Sequence, residues 1–155
     1  WLVLGIAGVL LTNTPVWADE AAALLTKMRQ AVHTLNYSGT LVYSQGNNLT
    51  HYQISHRLEN GAEKQSVVQL MPAAAATGGA GAESFSLQKF QQMQPTEEAY
   101  RLDLGGQEVV ANRSCQIVVA RPRDRMRYLQ RYCIEPDSGM LMKYSLMDGA
   151  HQSVE

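Results

Sequence analysis

The hydrophobic period of the chain changes at Asn36, and this change predicts a helix followed by a sheet. Before Asn36, apolar residues recur at the three- and four-residue spacing of a helix with one apolar face. These residues are Leu24, Leu25, Met28, Val32 and Leu35. From Tyr37 onward the period is two, which is typical of a strand with one buried face. Asp19 stands where it can cap the helix, and a helix with one apolar face must lie against another element.

Short strands joined by tight turns continue this pattern. Asn60-Gly61 is a strong hairpin signal, and Gly105-Gly106 indicates another turn. The predicted strands lie at residues 37–44, 49–58, 67–70, 100–104, 108–110, 114–121, 126–134 and 140–146. Such a series predicts an antiparallel meander. The predicted fold class is therefore α+β, a curved antiparallel sheet with an N-terminal amphipathic helix packed on it.

The beginning of the chain is typical of a secretory signal peptide. The apolar run from Leu2 to Leu11 is too short to cross a bilayer, which needs about 20 residues. Val-Trp-Ala, ending at Ala18 and followed by Asp19, fits the pattern of a cleavage site. We expect cleavage between Ala18 and Asp19, and a signal peptide at residues 1–18 that is truncated at its start because no initiator Met precedes it.

Residues 19–155 are predicted to form a single domain that contains one connector. Residues 72–82 are low in complexity and offer no large side chain for packing, so we expect a flexible segment there. The glycines of this segment do not match a phosphate-binding loop, because no lysine follows them.

The sequence carries no pattern of an active site. His51 and His56 are five residues apart on a predicted strand, which places them on opposite faces and makes them poor partners for one metal ion. No HExxH, no Cys/His cluster and no GxSxG occurs. We therefore predict no catalytic residue, no metal site, no cofactor and no enzymatic activity.

Cys115 and Cys133 flank the turn predicted around Asp124. A hairpin centred on this residue pairs Ile117 with Arg131 and places the two cysteines opposite each other, where a disulfide can form. A shift of one residue places the sulfurs on opposite faces and gives a more uniform apolar face. Two buried thiols therefore remain the alternative, and the oxidising compartment of an exported protein favours the bond.

Positive charge is concentrated in one stretch. Six arginines and one aspartate lie between Arg113 and Arg131, so this stretch carries +5 and, at a net charge of -1, the rest of the chain carries -6. The predicted cationic rim consists of Arg121, Arg123, Arg125, Arg127 and Arg131. Guanidinium groups bind phosphate, carboxylate or sulfate through paired hydrogen bonds. The alternative is a solvated outer face, and the nearly neutral total charge excludes a broadly basic nucleic-acid-binding protein.

The chain resembles the RseB/MucB family over Leu24–Leu70 and Tyr100–Glu155. The similarity rests on a helix leading into "LNYSGTLVY", on "HR" before a glycine turn, on the hairpin "RPRD-x-x-RY", and on "D-S-G-x-L-x-K" before "L-x-D". These motifs occur in the same order as in the family and cover about two thirds of the chain.

This resemblance implies a periplasmic, non-enzymatic negative regulator of sigma-E-type signalling. Such a protein binds the periplasmic region of a transmembrane anti-sigma factor, shields it from proteolysis, and senses lipopolysaccharide or lipoprotein. The implied fold is a half-barrel like those of LolA and LolB, with an apolar interior for acyl chains. The arginines would then meet phosphate groups of a lipid head or acidic groups of a partner.

The same resemblance leaves a second function open, that of a LolA-like periplasmic lipoprotein carrier or lipid-binding protein. It also implies two departures from the family. The middle of the chain, around residues 72–82, is expected to be shortened by several strands, and the smaller C-terminal domain of the family is expected to be absent.

Overall fold

The computed structural model of the chain describes residues 16–71, 95–149 and 152–154. The connector predicted at residues 72–82 and the first 15 residues of the predicted signal peptide lie outside these ranges.

One helix and two antiparallel sheets make up the described part of the chain. Helix α1 spans Val16–Thr34, and the strands are β1 (Tyr37–Gln45), β2 (Asn48–Glu59), β3 (Ala62–Met71), β4 (Tyr100–Val110), β5 (Arg113–Pro122), β6 (Leu129–Ile134) and β7 (Leu141–Met147). The first sheet has the order β1-β2-β3 and the second has the order β4-β5-β6-β7. All pairs are antiparallel. The α+β class and the packing of a helix on an antiparallel sheet are confirmed.

Helix α1 begins earlier than the sequence predicts. It starts at Val16, so Asp19 lies in its first turn and does not cap it; that prediction was wrong. The carboxylate of Asp19 is still well placed, because the positive end of the helix dipole favours acidic groups in the first turn. The predicted cleavage point between Ala18 and Asp19 falls within this turn and stays a prediction.

The main core forms where α1 covers one face of the second sheet. On the helix, Leu25 and Met28 are buried, and both belong to the predicted apolar stripe. On the sheet, Val118, Tyr132 and Ile134 are buried against them. These three point to the same face because Val118 pairs with Tyr132 and strand residues two apart share a face. Helix α1 and the second sheet therefore bury their apolar faces in one core.

A buried polar group lies within this core and is satisfied there. Gln130, 5% exposed, donates a hydrogen bond from Nε2 to the hydroxyl of Tyr100 at 3.0 Å. Its Oε1 accepts a hydrogen bond from the hydroxyl of Tyr132. Burial raises the pKa of Tyr132, so this hydroxyl keeps its proton and remains a donor.

Strand β4 is continuous through Gly105-Gly106, where the sequence predicts a turn between two strands. The register with β5 shifts between Leu104 and Gln107, which makes these glycines part of a bulge. The side chain of Gln116 donates hydrogen bonds to both glycine carbonyls, at 2.5 and 3.1 Å. A Cβ on Gly105 would lie 3.0 Å from Ile117 Cγ2, so the close approach of the strands favours glycine.

The connection between β5 and β6 is longer than the sequence predicts. Strand β6 begins at Leu129, so residues 123–128 form a loop. Asp124 organises this loop, because its Oδ1 accepts a hydrogen bond from the backbone N–H of Met126 at 2.9 Å. The register pairs Ile117 with Cys133, two residues away from the predicted pairing with Arg131, and the predicted hairpin register was therefore wrong.

Candidate functional site

The five arginines of the predicted rim lie on three different elements. Arg121 is near the end of β5, and Arg131 is in β6. The other three, Arg123, Arg125 and Arg127, lie in residues 123–128, which we call the arginine loop. Because β6 starts at Leu129, Arg127 lies outside the strand that carries Arg131, and the predicted strand at residues 126–134 was too long at its start.

Arg121 is paired with a carboxylate on the neighbouring strand. Its Nε donates to Asp103 Oδ2 at 2.7 Å, and Nε of Arg101 lies 3.5 Å from the other oxygen of Asp103. Arg101 and Arg121 stand directly opposite each other in the β4–β5 ladder. Two like charges in that position repel each other, and the carboxylate between them offsets this repulsion.

Arg131 shares a second carboxylate with Lys143. Glu108 accepts a hydrogen bond from Lys143 Nζ at 2.8 Å and another from Arg131 at 3.1 Å. The hydrogen bond from Lys143, together with the charges of Lys143 and Arg131, holds the pKa of Glu108 below its usual range. This network crosses the face of the second sheet that points away from the helix.

The arginine loop itself is only partly neutralised. Arg127 pairs with Asp124, and Arg123 donates from Nε to the backbone carbonyl of Glu97 at 3.1 Å. Within the described part of the chain, Arg123 and Arg125 have no carboxylate partner. The loop also exposes apolar groups, since Met126 is 94% and Tyr128 51% exposed. The site can therefore offer two guanidinium groups beside an apolar surface.

The sequence did not reveal the carboxylates that form ion pairs with Arg121 and Arg131. Sequence reasoning counted Asp124 alone as an opposing charge, whereas Asp103 and Glu108 on β4 pair with Arg121 and Arg131. Arg113 pairs in addition with Glu135 at 3.0 Å. A signal for these pairs was present, because β4 was predicted beside β5, but their identity required the register.

Cys115 and Cys133 are bonded to each other in the structure. Their Cα atoms are 5.3 Å apart, and both residues are almost fully buried. Cys133 stands opposite Ile117, so Cys115 lies two residues along on the same face and meets Cys133 diagonally. The disulfide lies on the face of the second sheet opposite the helix, where Val110 and Met142 pack against the cluster that contains it.

A groove of about 400 Å³ runs beside helix α1. It is lined by Glu20, Ala23, Leu24, Lys27, Gln107, Gln116 and Pro136. One wall is therefore helix, and the opposite wall is the bulge region of the second sheet with the turn after β6. Lys27 spans the gap by donating from Nζ to the carbonyl of Pro136.

The described residues contain no group of three or more His, Cys, Asp and Glu side chains arranged to hold a metal ion. In the same residues, no helix combines the length and the apolar character that crossing a membrane requires.

The family model of the MucB/RseB N-terminal domain matches residues 20–77 and 71–155. The chain is also similar to the sigma factor AlgU regulatory protein MucB of Pseudomonas aeruginosa, with 27% identity over 172 residues. This alignment covers 99% of the chain and 54% of the relative, so the chain spans about half the length of the curated relative that it matches.

Solved structures of MucB have the same fold as this chain. The complex of Pseudomonas aeruginosa MucA and MucB aligns with a TM-score of 0.70 at 25% identity and covers 86% of this chain and 53% of that one. A crystal structure of MucB alone aligns with a TM-score of 0.70 at 22% identity and covers 88% of this chain and 55% of that one.

Proposed function

The chain belongs to the MucB/RseB family, and on this premise we propose that it is a non-enzymatic periplasmic regulator of sigma-E-type signalling. It binds the periplasmic region of a transmembrane anti-sigma factor and shields that region from proteolysis. The observation that carries this proposal is the alignment of the chain with MucB in its complex with MucA. The curated relative, a regulatory protein of sigma factor AlgU, supports the same role.

Binding and shielding can be tested with the periplasmic segment of MucA, the partner of MucB in a solved complex. We expect a complex by isothermal titration calorimetry, and cleavage of the segment by its initiating protease slowed at least about tenfold at saturation. A tenfold lower rate corresponds to an activation free energy of cleavage that is about 1.4 kcal/mol higher in the complex. A scrambled segment of the same composition is the control. Binding without a change in the cleavage rate would remove the shielding role and retain the partner.

The arginine loop is the proposed sensor of lipid head groups. Arg123 and Arg125 can each donate paired hydrogen bonds from the guanidinium group to a phosphate. That phosphate belongs either to lipopolysaccharide or to a lipid that surrounds a lipoprotein. Met126 and Tyr128 place apolar surface beside these charges. Arg121, Arg127 and Arg131 are already paired with carboxylates and serve mainly to hold the sheet and the loop in place.

Replacing Arg123 and Arg125 together by alanine is expected to weaken lipopolysaccharide binding about tenfold, because two exposed ion pairs at about 0.2–1 kcal/mol each sum to at most about 2 kcal/mol, and about 1.4 kcal/mol is a factor of ten in affinity. The measurement is fluorescence titration with purified lipopolysaccharide, alongside a circular dichroism spectrum that should not change. Arg57→Ala with Lys64→Ala is the matched control, since these cations oppose each other on the first sheet. An equal loss in both double variants would show that only net charge matters.

A LolA-like carrier of lipoprotein or lipid is the second candidate. The groove of about 400 Å³ beside α1 favours it, since Leu24 and Ala23 supply an apolar wall there. A carrier would yield a bound acyl chain in native mass spectrometry and would pass a lipoprotein to an acceptor membrane. A regulator would do neither in the absence of stress ligands.

The proposal that this chain is a periplasmic regulator includes export to the periplasm, with cleavage between Ala18 and Asp19. The disulfide between Cys115 and Cys133 then forms in that oxidising compartment. N-terminal sequencing of the protein recovered from a periplasmic extract tests the cleavage point.

A further inference from the structure

His56 is buried between the end of helix α1 and the first sheet. It is 3% exposed, and its Nδ1 lies 2.7 Å from the backbone carbonyl oxygen of Leu35. A carbonyl can only accept a hydrogen bond, so Nδ1 must carry the proton. This contact fixes the tautomer of the neutral ring, and it leaves Nε2 as a bare lone pair.

The second nitrogen of this ring faces a carboxylate. Nε2 of His56 is buried, has no hydrogen-bond partner among the residues that the structure describes, and lies 3.5 Å from Glu63 Oε2. An ionised carboxylate also only accepts hydrogen bonds. The neutral ring therefore opposes two acceptors and leaves a buried polar atom unsatisfied, which destabilises the folded state. The protonated ring can donate from Nε2 to Glu63 after a shift of a few tenths of an ångström.

Side chains from three other elements surround the ring of His56. On the helix, His33 Nδ1 lies 3.0 Å from the other oxygen of Glu63. On β1, the ring of Tyr37 stacks on His56 with centroids 5.2 Å apart. On β3, the hydrogen bond with His33 is the main cause that holds the pKa of Glu63 below its usual range, and positive charge on His33 or His56 acts in the same direction. Leu35 follows the last turn of α1, where the helix dipole favours cations.

We propose that protonation of His56 closes a clamp, His56–Glu63–His33, that ties the end of helix α1 to the first sheet. The clamp is weak when the ring is neutral and strong when it is an imidazolium. It therefore tightens as the medium acidifies. The residues of the clamp come from α1, β2 and β3, so closing it fixes the position of the helix over the sheet.

Glu63 sets the lower limit of this behaviour. Because its pKa is lowered in the folded state, its contribution to stability is present above the ordinary titration range of a glutamate. That contribution is lost as the pH falls through the lowered value, since a neutral carboxyl no longer attracts the two imidazole rings. The clamp is thus closed in a window of mild acidity.

Thermal unfolding of the protein at about pH 8 and about pH 6 tests the clamp. We expect the Tm to rise by roughly 2–4 °C on acidification relative to Glu63→Gln, which keeps the shape of the side chain and removes its charge. His51→Gln is the matched control, because His51 lies on the same strand and the opposite face, and it should behave like the unchanged protein. An identical response in the Glu63→Gln variant and the unchanged protein would overturn the proposal.

Long-range proton–nitrogen NMR of the imidazole rings gives a second readout that does not depend on stability. At about pH 8 the expected signal of His56 is that of the Nδ1–H tautomer, and a second proton on Nε2 should appear as the sample is acidified. An Nε2–H tautomer at the higher pH would refute the clamp. A chelator should change neither spectrum, and a change would show that a bound cation, and not a proton, joins the three side chains.

Discussion

Replacing Cys115 and Cys133 by alanine is expected to lower the free energy of unfolding by about 3 kcal/mol. The bond joins residues that are 18 apart in sequence, and a loop of this size gives a stabilisation of about that magnitude in the chain-entropy view. Both cysteines are buried in a small cluster with Ile117, so the variant also loses packing. The measurement is urea unfolding followed by circular dichroism.

The unchanged protein under reducing conditions is the matched control for this experiment. It keeps both sulfurs and loses only the covalent bond, so the difference between it and the double alanine variant reports the packing of the thiols. An unfolding midpoint that stays the same on reduction would mean that two buried thiols stabilise the sheet as well as the bond does.

Replacing Gly139 by alanine is expected to cost about 2–5 kcal/mol of stability. Gly139 has a φ of 79°, and an L residue in this region costs about 1–2 kcal/mol. An added Cβ would lie 2.8 Å from the backbone oxygen of Lys27, and relieving such a contact typically costs a further 1–3 kcal/mol or so. Because the obstacle is helix backbone, the helix itself must move away from the turn.

Gly61→Ala separates these two contributions. Gly61 has a φ of 80°, but a Cβ built there meets nothing within 4 Å. It should therefore show the backbone cost alone, roughly 1–2 kcal/mol. Equal losses at both positions, measured by urea unfolding, would show that the turn after β6 does not set the position of α1. A larger loss at Gly139 would confirm that this turn, which also borders the groove through Pro136, holds the helix in place.

Outside the main core, three contacts hold helix α1 in position. Gly139 and the bond from Lys27 to Pro136 fix its middle against the second sheet. The His56–Glu63–His33 clamp ties its end to the first sheet. Of these contacts, only the His56–Glu63–His33 clamp responds to the pH of the solvent. A regulator built this way can therefore change the contact between the helix and the first sheet while its main core stays intact.

Only part of the charge distribution around the arginine stretch could be predicted from the sequence. The concentration of positive charge is a property of the sequence, and its position at the β5–β6 connection follows from the predicted strands. The number of free guanidinium groups does not follow, because Asp103 and Glu108 become partners only through the pairing of β4 with β5 and of β5 with β6.

Local periodicity determined the helix with its buried face, and it located the strands. Leu25 and Met28 on α1 were assigned to the core by spacing because a helix repeats after 3.6 residues, whereas the buried face of the second sheet, with Val118, Tyr132 and Ile134, came from the structure. Even the predicted turn at Gly105-Gly106 located an irregularity, although that irregularity is a bulge within one strand.

Tertiary structure alone decided which residues became partners. A shift of two residues between β5 and β6 leaves every side chain on its original face, so the apolar pattern cannot distinguish the predicted pairing of Ile117 with Arg131 from the observed pairing with Cys133. The contacts of His56 with Leu35 and Glu63 likewise arise from folding, since α1, β2 and β3 bring them together. Sequence period fixes a face, whereas only the three-dimensional register fixes a neighbour.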